Sequence, residues 1–274
     1  MKTQFTFVDF VLKEWLVIAS GVGFVVTSLF TRQFPKYSLN EIEVLFLLFV
    51  LFVVVNGLQK SGLLLKLTRA IEKGKAIPLK LVLATFFLSM LITNDIALIV
   101  IVPLTLSLNI NRKDILVILE ALSANAGSAL TPIGNPQNIY IYWFYNVSLE
   151  AFIKTIVPFS LFFLVLLGVF SIFIKIKNNS QESQNVGMSK NAYVYVVLFI
   201  FVLLAVFRVF PVSVGIVVPL FALLFDRKAL RIDYALLLSF FFFFGIADNL
   251  KTILTSEITH SGHIFCFRLW RVKL

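Results

Sequence analysis

The sequence predicts an all-α, polytopic membrane protein, and three observations support this fold class. Hydrophobic residues make up 59% of the 274 residues, charged residues only 14%, and the mean hydropathy is +0.97. A soluble domain is usually about half apolar and a quarter charged. The apolar residues also cluster in runs that approach the roughly 20 residues of a membrane-spanning helix. Finally, an uncharged stretch rich in glycine and proline, residues 123–138, interrupts these runs.

The charge and the reactive side chains exclude several functions. The net charge of +10 comes from basic residues in short polar breaks between apolar runs, as expected for loops on the cytoplasmic side of a membrane. No basic face with interleaved aromatic residues is visible, so no nucleic-acid partner is expected. Cys266 has no second cysteine to pair with in this sequence, and His260 and His263 alone make a weak metal signal. We therefore expect no metal site and no enzymatic activity.

The apolar runs of the first half are expected to form helices, but some are too short to span a bilayer. They cover residues 15–30, 44–58, 79–108, 115–122 and 139–145. Thr93, Asn94 and Asp95 interrupt the third run. The connector 60–80 is the most basic segment, which places it and the N-terminus in the cytoplasm and residues 32–40 outside. Beyond residue 90 the topology stays open, because half-helices do not count as crossings.

The second half contains further apolar runs separated by a hydrophilic segment. Residues 155–174 form a clean span, and the polar segment 175–191 is the best candidate for a linker between two halves. The later runs cover residues 192–210, 212–225 and 234–246.

The polar stretch 123–138 is the candidate binding site. Two prolines and two glycines lie within ten of its residues, so it cannot be one continuous helix. One interpretation is an ordinary loop outside the membrane, since Gly-Asn and Asn-Pro are turn signals. The stretch is uncharged, however, and lies between half-length apolar segments, which favours a site within the membrane. Its hydroxyl, amide and carbonyl groups suit either a small cation or an anion.

Residues 125–138, which read Asn-Ala-Gly-Ser-Ala-Leu-Thr-Pro-Ile-Gly-Asn-Pro-Gln-Asn, resemble the motif of the ion-transporter superfamily. This group contains arsenite permeases, NhaD-type sodium/proton antiporters, citrate permeases, divalent-anion/sodium symporters and the melanosomal P protein. Its usual pattern is Asn-x-Gly-Gly followed by Thr-x-Ile-Gly-(Asp/Asn/Thr)-Pro-Pro-Asn. Ser128 replaces the second glycine here, and Gln137 replaces the second proline. The upstream Thr93-Asn94-Asp95 also resembles an Asn-Asp motif of these proteins.

The resemblance implies an inverted-repeat transporter fold in which each repeat has a re-entrant hairpin and a broken helix. Residues 1–174 would form the first transmembrane repeat, with its re-entrant hairpin and broken helix, and 175–191 the hydrophilic linker. Residues 192–258 would form a partial second repeat, followed by an atypical tail, 259–274. No second polar break follows residue 192, so the second repeat is expected to be incomplete through truncation or a frameshift near Thr259.

The resemblance also implies the residues of the site. Those expected at the hairpin tip are Ser123, Asn125, Gly127 and Ser128. Those expected in the unwound helix are Thr131, Pro132, Gly134, Asn135, Pro136 and Asn138. Asn94 and Asp95 would come from the upstream motif. From the pattern alone Asp95 is either a buried functional carboxylate or a helix cap at the surface. Glu120 either lines the same cavity or lies near the surface.

The expected function is secondary active transport of a small ion or anion, of the citrate or dicarboxylate, arsenite, or sodium/proton type. A sodium ion or a proton would be the coupling ion, and no other cofactor is expected. The expected partners are the lipid bilayer, the transported inorganic or carboxylate ion and, as an assembly to test, a second copy in a homodimer. The expected location is the plasma membrane of a prokaryotic cell. The alternative is a membrane protein without transport activity, or an inactive transporter fragment.

Overall fold

A computed structural model describes residues 11, 14–64, 66, 76–107, 112–174, 189 and 191–260, with side chains up to residue 254. All regular structure within these residues is helical. The α-helices in chain order are α1 (Trp15–Thr31), α2 (Leu39–Lys60), α3 (Ile77–Leu91), α4 (Asn94–Ser107), α5 (Lys113–Ser128), α6 (Pro136–Phe144), α7 (Leu149–Ile172), α8 (Asn191–Val206), α9 (Val217–Phe225) and α10 (Tyr234–His260). A short 3-10 helix, Val212–Ile216, precedes α9.

Three of the described helices are long and apolar enough to cross a bilayer. These are α2 with 22 residues, α7 with 24 residues, and the 21-residue part Tyr234–Leu254 of α10. Helix α7 exposes large apolar side chains on one face, at the helical spacing of Phe162, Val165, Val169 and Ile172. Lipid tails, unlike water, solvate such a face without penalty. The predicted all-helical, polytopic membrane protein is therefore confirmed.

The described residues fall into two compact units, one within residues 1–45 and 233–274 and the other within 46–232. The predicted boundaries at 174 and 191 stay a prediction. Most of the predicted linker and the tail from residue 261 lie outside the described residues, as do residues 67–75 of the basic connector.

In the first unit, α2 begins with a capping box. The backbone N–H of Ser38 donates to the Glu41 carboxylate at 2.6 Å, and the N–H of Glu41 donates to the Ser38 hydroxyl at 3.3 Å. The nearby Tyr37 hydroxyl donates to the Phe241 carbonyl oxygen at 3.0 Å. Burial, with smaller contributions from the Glu41 and Asp248 carboxylates, raises the pKa of Tyr37 to about 12, so its hydroxyl stays a donor.

Polar contacts also join α1 to α10 in this unit. The buried Asn249 donates through Nδ2 to the hydroxyls of Thr27 and Ser28, at 3.1 and 3.0 Å. Helix α10 therefore continues past the apolar run predicted to end at residue 246. The polar residues that follow this run remain helical because their side chains have partners within the unit.

In the second unit, α5 runs parallel to α3. The Ser123 hydroxyl donates to the Val82 carbonyl oxygen at 2.8 Å. Just beyond the end of α5, the Thr131 hydroxyl donates to the Met90 carbonyl oxygen at 2.6 Å. The later residue of one segment pairs with the later residue of the other, so the two segments run in the same direction.

Helix α4 also packs against α5, and it runs antiparallel to it. The Asn94 amide, at the start of α4, contacts the Asn125 amide at 3.2 Å near the end of α5. The Thr105 hydroxyl, near the end of α4, donates to Glu120 in the middle of α5. Since α3 and α4 have opposite directions relative to α5, they fold back on each other and reverse at residues 92–93. Their lengths of 15 and 14 residues reach only about 22 Å, less than the roughly 30 Å hydrocarbon core.

This arrangement corrects two details of the sequence prediction. Residues 123–128, predicted as a hairpin tip, are instead the last turns of α5, and the hairpin is the α3–α4 pair. Single serine, asparagine and glycine residues cost at most about 1 kcal/mol each in a helix, so α5 tolerates them. Only residues 129–135 are unwound, and they contain Pro132, which lacks the N–H that a helix requires. The broken helix is therefore α5, the unwound segment 129–135, and α6.

Candidate functional site

The reversal between α3 and α4 lies directly against the unwound segment. Thr93 is buried and has a φ of 135°, a conformation that strains a β-branched residue. The next N–H, of Asn94, donates to the Gly134 carbonyl oxygen at 3.1 Å. Such strain persists only where the surrounding structure holds it. Here the unwound segment holds it, so the hairpin tip and the break form one structural element.

Glycine is required at two positions because the backbone approaches closely. A Cβ on Gly134 would lie 2.0 Å from the Ser128 carbonyl oxygen. A Cβ on Gly127 would lie 2.3 Å from the Phe86 carbonyl oxygen on α3. Both obstacles are backbone atoms that cannot rotate away. The two glycines therefore allow the broken helix to fold tightly on itself and on α3.

Two asparagines stabilise the break. The Asn138 Nδ2 atom lies 3.0, 3.1 and 2.9 Å from the carbonyl oxygens of Ser128, Ala129 and Thr131. The Ser128 and Ala129 carbonyls lie where α5 ends and helical partners are lost, and the Thr131 carbonyl oxygen also accepts the Gly134 N–H at 3.2 Å. Asn135 caps α6, since its Oδ1 accepts the Asn138 N–H at 2.8 Å. Both side chains therefore supply the hydrogen bonds that make an unwound segment tolerable away from water.

A pair of amides lies beside this element and is accessible. The Nδ2 of Asn94 donates to Oδ1 of Asn125 at 3.2 Å, and Asn125 also donates to the Ala121 carbonyl oxygen at 2.9 Å. Asn125 is exposed, and Asn94 is half-buried. Asp95 is exposed in the first turn of α4, where the helix dipole favours a negative charge. These three side chains offer donors, acceptors and one carboxylate to a small ligand.

The structure thus brings several predicted site residues together and gives others a packing role. Asn94, Asn125, Thr131, Gly134, Asn135 and Asn138 all meet around the break. In contrast, Ser123, Gly127 and Ser128 are buried on α5, and Pro132 and Pro136 are buried within or next to the unwound segment. Ser128 donates to the Asn125 carbonyl oxygen at 3.0 Å. Whether any of these residues binds an ion stays a prediction.

Two features of this region were missed or left undecided by the sequence. Glu120 has no exposed surface, so it does not lie at the protein surface, and its partner Thr105 was not identified. Ser160 on α7 donates to the Ala126 carbonyl oxygen at 2.8 Å, which attaches α7 to α5. In the sequence, the burial of Glu120 was indicated by the position of this glutamate inside an apolar run. Within residues whose side chains are described, no group of three or more His, Cys, Asp or Glu side chains could hold a metal ion.

Comparison with known proteins gives a consistent result. Residues 6–253 match the family described as citrate transporter. The chain is 36% identical over 227 residues to an uncharacterized transporter of Methanocaldococcus jannaschii, an alignment that covers 79% of this chain and 62% of that protein. It is 37% identical over 155 residues to an inner membrane protein of Escherichia coli, covering 52% and 40% of the two chains. It is 34% identical over 130 residues to a silicon efflux transporter of Oryza sativa subsp. japonica, covering 44% and 27%. The chain thus spans less than two thirds of the length of each of these relatives.

Proposed function

Because this chain belongs to the citrate transporter family, we propose that it is a secondary active transporter that binds a small ion or anion at the amide pair Asn94–Asn125. The main support is the contact between the hairpin tip and the unwound segment, through Asn94 N–H and the Gly134 carbonyl oxygen. In transporters, helices broken in this way commonly surround the substrate site. The coupling ion is sodium or a proton, and the location is the plasma membrane of a prokaryotic cell.

The chemistry of the site limits the range of substrates. The amides of Asn94 and Asn125 donate and accept hydrogen bonds, so they suit a carboxylate, a hydroxylated oxyacid or a hydrated cation. Asp95 adds a negative charge at the start of α4. A co-bound sodium ion or proton would offset the charge of a transported anion. The candidate substrates are therefore citrate, a dicarboxylate, arsenite, a silicon compound (from the rice relative's name) and sodium itself.

Flux into proteoliposomes tests this proposal. Uptake of each candidate is measured with an imposed sodium gradient, an imposed pH gradient and neither. We expect one candidate to accumulate in response to one gradient. Asn125→Ala should abolish this uptake, because it removes one amide of the pair and leaves the break intact. Gln33→Ala, which removes an exposed amide outside the site, should transport normally.

The alternative function is a membrane protein without transport activity. It predicts no gradient-driven uptake of any candidate by wild-type protein that is correctly folded in the liposomes. Uptake that persists unchanged in Asn125→Ala would instead show that the ion takes another route.

A further inference from the structure

We propose that Glu120 is a proton-binding site, and that its proton is the one that couples transport through the α4–α5 pair. This inference rests on the proposed function, but the protonation of Glu120 is measurable without transport. The side chain has no exposed surface. Its Oε1 accepts the Thr105 hydroxyl, while its Oε2 is buried and has no hydrogen-bond partner within the part of the chain that the structure describes. This is the chemistry of a carboxyl group that carries a proton, because an ionised carboxylate would leave a buried charge half-satisfied.

Among the described residues, no charged side chain of the neighbouring helices takes the place of that proton. The helices packed against α5 are α3, α4 and α7. The charged residues of these three helices, Lys80, Asp95, Glu150 and Lys154, are all exposed. On α5 and its cap, Arg112, Lys113 and Asp114 lie at least six residues before Glu120, and Lys113 donates to the Leu106 carbonyl oxygen at 2.7 Å. The surroundings of Glu120 are instead apolar, since Leu116 and Leu119 of the same helix belong to a buried cluster with Leu81, Val82, Ile101, Leu104 and Leu167.

The position of Glu120 links its proton to the candidate site. Glu120 and Asn125 lie on α5, while their partners Thr105 and Asn94 lie on α4. Release of the proton to water leaves a carboxylate, which becomes stable only when α4 and α5 separate enough to hydrate it. The same separation breaks the Asn94–Asn125 contact. Protonation of Glu120 and the geometry of the amide pair therefore depend on one movement, which is what coupling requires.

Infrared spectroscopy of the full chain in lipid nanodiscs tests the protonation directly. The probe is the carbonyl band of a protonated carboxylic acid, followed upward from about pH 6, where exposed Asp and Glu side chains are already ionised. We expect wild type to show this band and to lose it as the pH rises further, whereas Glu120→Gln lacks it. Asp114→Asn, a neutralised exposed acid on the same helix, should leave the band unchanged. Thr105→Val should change the frequency of the band, because it removes the hydroxyl that donates to Oε1.

Transport measurements test the coupling separately. With the ion identified in the flux panel, Glu120→Gln should still exchange labelled for unlabelled ion at equal concentrations but lose accumulation driven by a pH gradient. Glu120→Asp, which keeps the acid, should retain part of that accumulation if Glu120→Gln fails to fold. A wild-type protein without the acid band, or with a band that survives Glu120→Gln, contradicts the proton site. Accumulation driven by a pH gradient in Glu120→Gln contradicts the coupling. An acid band in a protein that transports nothing contradicts only the proposed function.

Discussion

The substitution Gly134→Ala should disrupt the contact between the hairpin tip and the broken helix. The added Cβ would lie 2.0 Å from the Ser128 carbonyl oxygen and 2.6 Å from its carbonyl carbon and Cα. Real Cβ atoms do not approach backbone so closely, so residues 129–135 must move. Overpacking of well-packed sites costs about 1–3 kcal/mol and sometimes more. Because backbone has to shift and the bond from Asn94 N–H is lost with it, we expect a cost of about 3 kcal/mol or more.

The assay is the apparent Tm of purified protein in detergent, measured in parallel with Gly168→Ala. A Cβ on Gly168 would meet only the Leu79 side chain, at an ordinary 3.5 Å. In helix α7 alanine also has a higher helix propensity than glycine, by about 1 kcal/mol. Gly168→Ala should therefore keep or raise the Tm, while Gly134→Ala lowers it clearly. Equal Tm values for the two variants would refute the close approach that defines the break.

Three further substitutions test other contacts. Asn138→Ala should lower stability by about 1–3 kcal/mol, since it removes the amide donor from the part-buried carbonyls of Ser128 and Ala129. An unchanged Tm would mean that water replaces the amide. Arg208→Lys should cost about 1–2 kcal/mol, because it removes the guanidinium group. This group donates to the Tyr142 carbonyl oxygen at 2.6 Å and lies 4.4 Å from the Tyr142 ring centre. A melting curve that matches wild type contradicts this contact. Asn249→Leu should cost about 2 kcal/mol, as three interhelical hydrogen bonds, to Thr27, Ser28 and Thr31, of about 0.6 kcal/mol each are lost in the membrane, and a stabilised variant would argue against the bonds to α1.

The sequence predicted the broken helix because its signals are local. Pro132 and Pro136 remove helical N–H groups, and the lack of charge over 123–138 indicates a segment buried in protein. The extent of the unwinding was overestimated. Residues 123–128 can be helical or irregular on their own, and their close packing against α3 decides the outcome. At Gly127 this packing is so close that an added Cβ would lie 2.3 Å from the Phe86 carbonyl oxygen. Packing between two helices of this kind leaves no periodic pattern in the sequence, so the sequence alone does not predict it.

The hairpin was harder to predict than the break. Thr93 has neither the glycine nor the proline that usually marks a reversal, and its φ of 135° is imposed by neighbouring backbone. Hydropathy therefore shows residues 79–108 as one interrupted run. The position of Glu120 illustrates the same limit. Its sequence neighbours allowed a surface or a cavity, and only the direction of α4 relative to α5 brings Thr105 to it.

The most direct test of the central claim is whether the transported ion binds at the amide pair. The measurement is the rise in Tm caused by the ion found in the flux panel, for wild type, Asn125→Ala and Gln33→Ala in the same detergent. We predict a concentration-dependent rise for wild type and Gln33→Ala and none for Asn125→Ala, because a ligand raises stability only where it binds the folded state. An equal rise in Asn125→Ala would contradict the claim and would place the ion elsewhere in the protein.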